Sequence, residues 1–295
     1  MRIAVLMSIY NGHKYLNAQL LSLAEQTVKN NMTVYIRDDG SEDNTFEIID
    51  LWKEKINIVL YKGCNVGPAM SFWELFMNQE IQADYYAFCD QDDIWDSDKI
   101  ELGIKHLTGS AHFYACNCRI IDENGNIVKS AREKSAPEIS IPRLFVSGCT
   151  QGCSMVFTDA LRKYIMNLKI HCIPMHDVIL MLYAIQFGKI FWDQEPHFSY
   201  RVHSNNVVAK ENKSIVQKLK TTYWNWNNSS KHSMANVAKE MCNNINDLSL
   251  EDKLFLNRVL NYKMHRIRLI RNCKSYRVEH NALRSFKVRV LLGLY

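Results

Sequence analysis

The sequence contains no uncharged apolar stretch of about 18 residues, so none of it reads as a membrane-spanning helix. It contains neither G-x-G-x-x-G nor G-x4-G-K-S/T, which removes the glycine-rich loops that cradle phosphates. Glycine and proline are few, at 11 and 5 of 295 residues, and no internal repeat or low-complexity tract is visible. Together with 47% hydrophobic and 23% charged residues, this excludes a collagen-like repeat and a disordered tail protein. The opening, Met1 to Met7, is too short an apolar run for a signal peptide. Cysteine is not scarce, with nine copies, but Cys116-x-Cys118 and Cys149-x3-Cys153 are not the paired C-x2-C clusters of a structural zinc site. An odd count in a chain long enough to bury a core without staples predicts reduced thiols and a cytoplasmic protein.

Charge is present in both signs but unevenly placed. Residues 207–295 carry 17 Lys/Arg against 6 Asp/Glu, a net of +11, whereas residues 1–206 carry 19 against 25, a net of −6. An acidic front and a basic rear point to two different jobs.

Ile3 to Ile9 is a nearly continuous apolar run, the pattern of a strand buried on both faces of a parallel sheet. Tyr10-Asn11-Gly12 breaks it. Tyr15 to Lys29 then shows helical spacing, with Leu16, Leu20, Leu23 and Ala24 on one face. Thr33–Ile36, Ile56–Tyr61 and Tyr85–Cys89 predict three more strands, separated by helices from Asp43 or Asn44 through Trp52 and over Ala69–Asn78. This alternation predicts an α/β fold: a doubly wound, mostly parallel sheet flanked by helices, with its ligand crevice at the carboxyl ends of the strands. Further strands are expected at Phe113–Ala115, Ser154–Phe157 and Lys189–Trp192, and a helix at Asp177–Phe187. From about residue 211 the pattern is helical, a C-terminal extension rich in Asn, Lys and Arg.

The polar clusters fall where the crevice rule puts a site. Asp90-Gln91-Asp92-Asp93 ends the fourth strand, and carboxylates crowded in this way repel unless a cation shares them. The same residues could equally form a solvated acidic turn. A calcium loop is excluded, because Ile94 and Trp95 stand where it needs an oxygen ligand and a glycine. Asp38-Asp39-Gly40-Ser41 ends the second strand; its carboxylates can accept from a nucleobase or ribose, or simply build a turn before a capped helix. His176-Asp177 opens a helix, where the carboxylate is a general base or an N-cap. Tyr200-Arg201-Val202-His203 begins a polar loop, and neutral imidazole there is a structural group or a metal ligand.

Ile3–Tyr10 with Asn11-Gly12, then Arg37–Ser41, then Asp90–Trp95, in that order and at those distances, resemble family 2 glycosyltransferases of the GT-A fold. His176-Asp177 and Tyr200-Arg201-x-His203-x-x-Asn206 look like the rhamnosyltransferase branch that builds bacterial surface polysaccharides. The resemblance covers roughly residues 1–210. It implies a nucleotide-sugar-binding half over 1–105, an acceptor and catalytic half over 106–210, and a basic helical segment over 211–295. It implies that Ser8, Tyr10, Asp38, Asp39, Asp90 and Gln91 bind the nucleotide sugar, dTDP-L-rhamnose or a UDP-hexose. Asp92 and His203 would hold Mn²⁺ or Mg²⁺, Asp177 would be the base of an inverting transfer, and Gly152 and His176 would meet the acceptor, a glycan or lipid-linked glycan. One departure stands out: Asn65-Val66-Gly67 runs into Pro68 with no Arg or Lys to meet the diphosphate. The rival enzyme, a sugar nucleotidyltransferase, would carry a glycine-rich basic loop after the first strand, and Asn11-Gly12-His13-Lys14 is a poor one. A non-catalytic sugar-binding subunit would be free to lose Asp92, Asp177 or His203, and all three are present.

Leu256, Leu260, Met264, Ile267 and Ile270 recur at helical spacing among Lys263, Arg266, Arg268 and Arg271. Such a basic amphipathic stripe suits a membrane surface or packs on the domain. Nucleic acid is not the expected partner, because no recognition motif appears and the front is acidic. Nothing in the sequence fixes the oligomeric state.

Overall fold

The computed structural model describes residues 1–203, 233–273, 278, 280–293 and 295. Its front half alternates β1 (Ile3–Ile9), α1 (Leu16–Ala24), β2 (Met32–Asp38), α2 (Thr45–Lys53), β3 (Ile58–Lys62), α3 (Pro68–Met77) and β4 (Tyr85–Cys89). There follow β5 (Ile94–Trp95), α4 (Lys99–His106), β6 (Ala111–Ile121), β7 (Ile127–Lys129), α5 (Ile141–Val146), β8 (Met155–Thr158), α6 (Asp159–Met166), α7 (His176–Phe187) and β9 (Lys189–Arg201). Four described helices close the chain: α8 (Met234–Asn244), α9 (Leu250–Leu260), α10 (Tyr262–Asn272) and α11 (His280–Leu292).

The strands form one sheet in the order β3-β2-β1-β4-β8-β6-β9-β5, with β7 paired to β6. β3, β2, β1 and β4 are mutually parallel, as expected. Beyond β4 the sheet is mixed, because β8 runs antiparallel to both β4 and β6 while β9 runs parallel to β6. The reversal matters for the site, since it brings the segment before β8 to the edge where β1, β2 and β4 end.

β1 shows why its sequence is apolar throughout. Ala4 and Leu6 point into one core with α3, α5 and α7, while Ile3, Val5, Met7 and Ile9 point into the other with α1, α2 and α4. Both faces are covered, so neither needs polar residues. The described C-terminal helices join the first core through Val237, Met241, Leu256, Val259, Leu269, Phe286 and Val290, and the Tyr295 hydroxyl donates to the carbonyl of Phe145.

Three expectations need correction. The first helix stops at Ala24 rather than Lys29, and Thr27 N–H is instead bonded to Ser97 O at 2.8 Å. β6 and β9 are far longer than the apolar runs suggested, because polar residues such as Asn117, Arg119 and Asp193 continue the pairing through register shifts. The Leu256–Ile270 stripe is not one helix: Asn261 (φ −101°, ψ 32°) separates α9 from α10, and His265 kinks α10. Leu256 is buried, whereas Met264 and Ile267 are 83% and 69% exposed. The expected helix over 211–232 and Asn206 lie outside the described residues. No described helix is long and apolar enough to cross a membrane.

Candidate active site

The loops after β1 and β2 are laced together. Asn11 N–H donates to Ser41 Oγ (2.9 Å), Asn11 Oδ1 accepts from Glu42 N–H (2.9 Å), and Gly12 N–H donates to Thr45 Oγ1 (2.8 Å). The loop after β4 is clamped to the same place. Gln91 Oε1 accepts from Tyr10 N–H (2.9 Å) while its Nε2 donates to Tyr10 O (3.0 Å). A Cβ at Gly12 would sit 2.7 Å from that Oε1, so the clamp needs glycine there. The Tyr10 ring is left exposed above the clamp, and Ser8 Oγ donates to Ser71 Oγ at 2.6 Å.

Asp38 and Asp39 are each only 2% exposed, and they are engaged by the protein itself. Asp38 Oδ2 accepts from the N–H groups of Gly40 and Ser41, both at 3.1 Å. Asp39 pairs with Arg37 Nη1 (2.5 Å) and accepts from Val66 and Gly67 N–H (both 2.9 Å). These bonds fix both carboxylates at the end of β2, where the sequence reading expects them to meet a nucleotide. A buried carboxylate costs free energy until its oxygens are bonded, and here backbone amides and a guanidinium meet that need. The same bonds account for Asn65-Val66-Gly67: it holds the β2 end in shape through Asp39.

The acidic cluster is also arranged differently from expectation. Ligand atoms of Asp90, Asp93 and Cys153 all lie within 4.8 Å of one another. Asp93 is fully buried; its Oδ1 accepts from Arg201 N–H (3.0 Å), and its Oδ2 has no partner among the described residues. Burial, then the neighbouring Asp92, pushes the Asp90 carboxyl up to about 7, and burial with both neighbours drives Asp93 well above the carboxylate range. Cys153 is raised well above a normal thiol, first by burial and then by Asp93 and Asp90. Groups this close cannot all ionise without a cation. The two carboxylates, with one Asp93 oxygen unpartnered among the described residues, fit a divalent ion of the Mg²⁺ or Mn²⁺ kind, and the protonated Cys153 thiol is its neighbour rather than a strong ligand.

Asp92 and His203, the two residues expected to hold the ion, are brought together across the site: Asp92 Oδ2 to His203 Nε2 is 2.7 Å. The His203 ring rests on Tyr15 (4.7 Å between centroids), and Arg201 Nε donates to Asp92 O at 2.8 Å. Asp93 and Cys153 were missed in the sequence. Asp93 had a visible signal, as the last carboxylate of the D-Q-D-D run, but Cys153 had none, because only the reversed β8 delivers it.

Asp177 lies in the first turn of α7, and Met175 rather than Asp177 occupies the N-cap. Its Oδ1 accepts from Val178 N–H (2.7 Å), and burial pushes the carboxyl up to about 6. His176 is 3% exposed, stacked on Phe72 (4.1 Å) and edge-on to Phe88 (4.7 Å). Neither ring nitrogen has a partner among the described residues, and burial lowers it to about 3, so the ring is neutral. A Cβ at Gly152 would lie 2.7 Å from His176 Nε2. Gly152 and His176, both expected near the acceptor, are thus packed against each other beside Asp177.

This chain resembles known proteins at three levels. A family model described as "Glycosyl transferase family 2" matches residues 4–165. The dTDP-rhamnosyl transferase RfbG of Shigella flexneri is 30% identical over 215 residues, 69% of this chain and 73% of that protein. The UDP-Glc:alpha-D-GlcNAc-diphosphoundecaprenol beta-1,3-glucosyltransferase WfaP of Escherichia coli is 26% identical over 216 residues, 73% of this chain and 83% of that one. Among solved structures, residues 1–349 of S. aureus TarS with UDP-GlcNAc superpose with a TM-score of 0.65 at 18% identity, covering 100% of this chain and 80% of that one. That last likeness is one of fold.

Proposed function

This chain belongs to glycosyl transferase family 2, a glycosyltransferase of GT-A fold, and from that premise we propose that it moves a sugar, with inversion, from a nucleoside-diphosphate sugar to a glycan hydroxyl in bacterial surface polysaccharide synthesis. The observation that carries the proposal is the juxtaposition along residues 148–154: Cys153 joins Asp90 and Asp93, and Gly152 packs on His176 beside Asp177. An acidic trio for a leaving diphosphate and a carboxylate base thereby share one edge.

Asp177 takes the proton of the acceptor hydroxyl as that oxygen attacks the anomeric carbon from the face opposite the diphosphate. The new C–O bond forms as the bond to the diphosphate breaks. A base so placed contributes typically 10²- to 10⁴-fold, and a carboxyl raised to about 6 is better matched to that task than a free one. His176, neutral and wedged between aromatic rings, fixes the start of α7 and so the position of Asp177. Mn²⁺ or Mg²⁺ held by Asp90 and Asp93, with Asp92 and His203 alongside, would supply neutralisation of the charge that develops on the leaving diphosphate. Tyr10 offers an exposed ring to the base, Ser8 and Gln91 shape the floor beneath it, and Asp38 and Asp39 act through the backbone they hold.

On this reading residues 1–105 form the donor half, 106–210 the acceptor half, and 211–295 a basic helical segment. dTDP-L-rhamnose is the first donor to test and a UDP-hexose the second, in line with the activities named for the two relatives. The test is a panel of nucleotide sugars scored for metal-dependent release of dTDP or UDP. Release from none of them would overturn the proposal.

The segment is proposed to meet the cytoplasmic face of an anionic bilayer. α10 exposes Lys263, Met264, Ile267, Arg268 and Arg271 and contains no acidic residue. Apolar side chains between cations suit an interface with anionic lipid, where each nearby basic residue is worth about 1 kcal/mol.

A further inference from the structure

Among the described residues, five Lys and Arg side chains are buried, and four of them meet acceptors. Arg37 pairs with Asp39 and Glu74, and Arg143 donates to Ser147 O. Arg162 donates to the carbonyls of Phe76, Asn78 and Ile81, and Arg201 to that of Asp92. Lys99 is the exception. It opens α4 with 0% of its surface exposed, yet its Nζ has no hydrogen-bond or ion-pair partner among the described residues. The ammonium lies 3.7 Å from the centre of the Trp95 ring and 6.0 Å from that of Phe198. An aromatic face attracts a cation, but it does not replace an acceptor.

Those two rings place the charge behind the acidic cluster. Trp95 follows Asp93 by two residues and pairs with Phe198, on the same strand as the Arg201 N–H that donates to Asp93 Oδ1. Burial lowers the Lys99 ammonium, and the groups that oppose burial are Cys116, Cys153, Cys89 and Asp93. Cys153 belongs to the cluster itself, and Cys89 directly precedes Asp90. Burial raises all three thiols, Cys116 to about 11 and the other two well above the ordinary thiol range, so they stay uncharged at neutral pH. Asp93 is the one carboxylate of the four, and burial drives it well above the usual carboxylate range. No full negative charge among these four groups answers the ammonium.

A charge buried without an acceptor costs stability, and an apolar side chain of the same length would cost less. Sequences break such local rules chiefly at functional sites, and the position of Lys99 says which one. A divalent ion shared by Asp90 and Asp93 would carry the same sign as the ammonium, and repulsion in a buried site is stronger than in water. We infer that Lys99 sets the strength of the cation site: its ammonium opposes the divalent ion, so the site holds a bare ion loosely and holds it firmly only together with a diphosphate. A nucleoside diphosphate and its ion carry a net negative charge, which the ammonium favours rather than opposes. An ion held loosely by the protein also leaves with the diphosphate once the sugar has moved. The diphosphate rests on the transferase reading; the repulsion between ammonium and ion does not.

The test compares full-length wild type, Lys99→Met and Lys99→Gln, by thermal scans in EDTA and by calorimetric titration with Mn²⁺ alone at pH 7.5. Lys99→Met keeps the length and removes an unanswered charge, so in EDTA it should be at least as stable as the wild type. Both variants should bind Mn²⁺ about 10-fold or more tightly than the wild type. Agreement between an apolar and a polar replacement makes charge, not shape, the cause. In saturating Mn²⁺, their affinity for UDP and dTDP should stay level or fall, because the ammonium that favoured the complex is gone. A merely structural lysine would move both affinities the same way and lower Tm. Three results overturn the inference: a Lys99→Met protein that is unfolded or less stable in EDTA, Mn²⁺ binding that is absent, unchanged or weaker in the variants, or nucleotide affinity that rises in step with Mn²⁺ affinity. Failure of the transferase reading looks different: Mn²⁺ affinity would still depend on Lys99 while no nucleotide sugar is turned over.

Discussion

His203 Nε2 stands 2.7 Å from Asp92 Oδ2 and joins the end of β9 to the loop after β4 across 111 positions of sequence. Arg201 reinforces the same junction through Asp92 O and Asp93 Oδ1. The acidic loop is therefore held from behind by β9, and the proposed cation site depends on residues far apart in the chain.

Removing the carboxylate at Asp92 should show this. Asp92→Ala removes the Asp92–His203 bond and an oxygen beside the trio, while β4 stays paired with β1 and β8 and β9 with β6 and β5. Turnover should fall at least 10²-fold and nucleotide binding should weaken, with a circular dichroism spectrum like that of the wild type. Full activity of the wild type in excess EDTA would sink the metal reading outright.

The acidic trio also predicts a pH dependence of stability. Asp90 is raised to about 7, from an unfolded value near 4. Between those values the folded chain binds more protons than the unfolded one, so stability falls as pH rises. The cation-free protein should lose at least a few degrees of Tm from pH 5 to pH 7.5, and Mn²⁺ should restore it most at the higher pH. Thermal scans with and without EDTA decide the matter; a Tm indifferent to Mn²⁺ at pH 7.5 counts against the site.

Gly152 carries a third prediction. The His176 ring cannot retreat from a new methyl group, because Phe72 and Phe88 hold it. Gly152→Ala should cost about 1–3 kcal/mol by overpacking and should lower kcat by shifting α7. Adding His176→Ala should recover part of the stability. If Gly152→Ala alone is as stable and active as the wild type, the packing does not position the base.

Much of this was legible in the sequence, and the gaps have physical causes. β1 to β4 and their loops follow from apolar runs too short for anything but strands covered on both faces. Asp38 and Asp39 were visible as a strand-end pair, but the Gly40, Ser41, Val66 and Gly67 amides that hold them are backbone groups, which no side-chain pattern reveals. Cys153 meets Asp93 only because β8 enters the sheet in reverse. The 256–270 stripe kept helical spacing through Asn261, a residue that does not announce a break, so periodicity alone ran two helices into one.

α10 supports a prediction about membranes. Binding to vesicles containing anionic lipid should fall steeply with salt, since screening acts within about 8–10 Å at physiological ionic strength. Arg268→Glu with Arg271→Glu should weaken binding about 10-fold, and Ile267→Asp should do so even at low salt. Equal sedimentation with neutral and anionic vesicles would leave this face to some other partner.

The base offers the sharpest test. Asp177→Asn keeps the size of the side chain, and the amide oxygen can still accept from Val178 N–H, the one bond to another residue's N–H that the carboxylate makes among the described residues. Because Met175 rather than Asp177 is the N-cap, the helix loses no cap, and Tm should stay within a degree or two. Catalysis should not survive, since an amide cannot take the hydroxyl proton; kcat should fall roughly 10²-fold or more with donor affinity unchanged. The wild-type enzyme should in turn show an acid limb in kcat. Asp177 is protonated below about 6, so the rate should drop about tenfold per pH unit beneath that value and level off above it. The Asn variant should lack that limb. If it keeps the limb, or loses donor affinity as much as rate, Asp177 belongs to the cation site and the base is another residue.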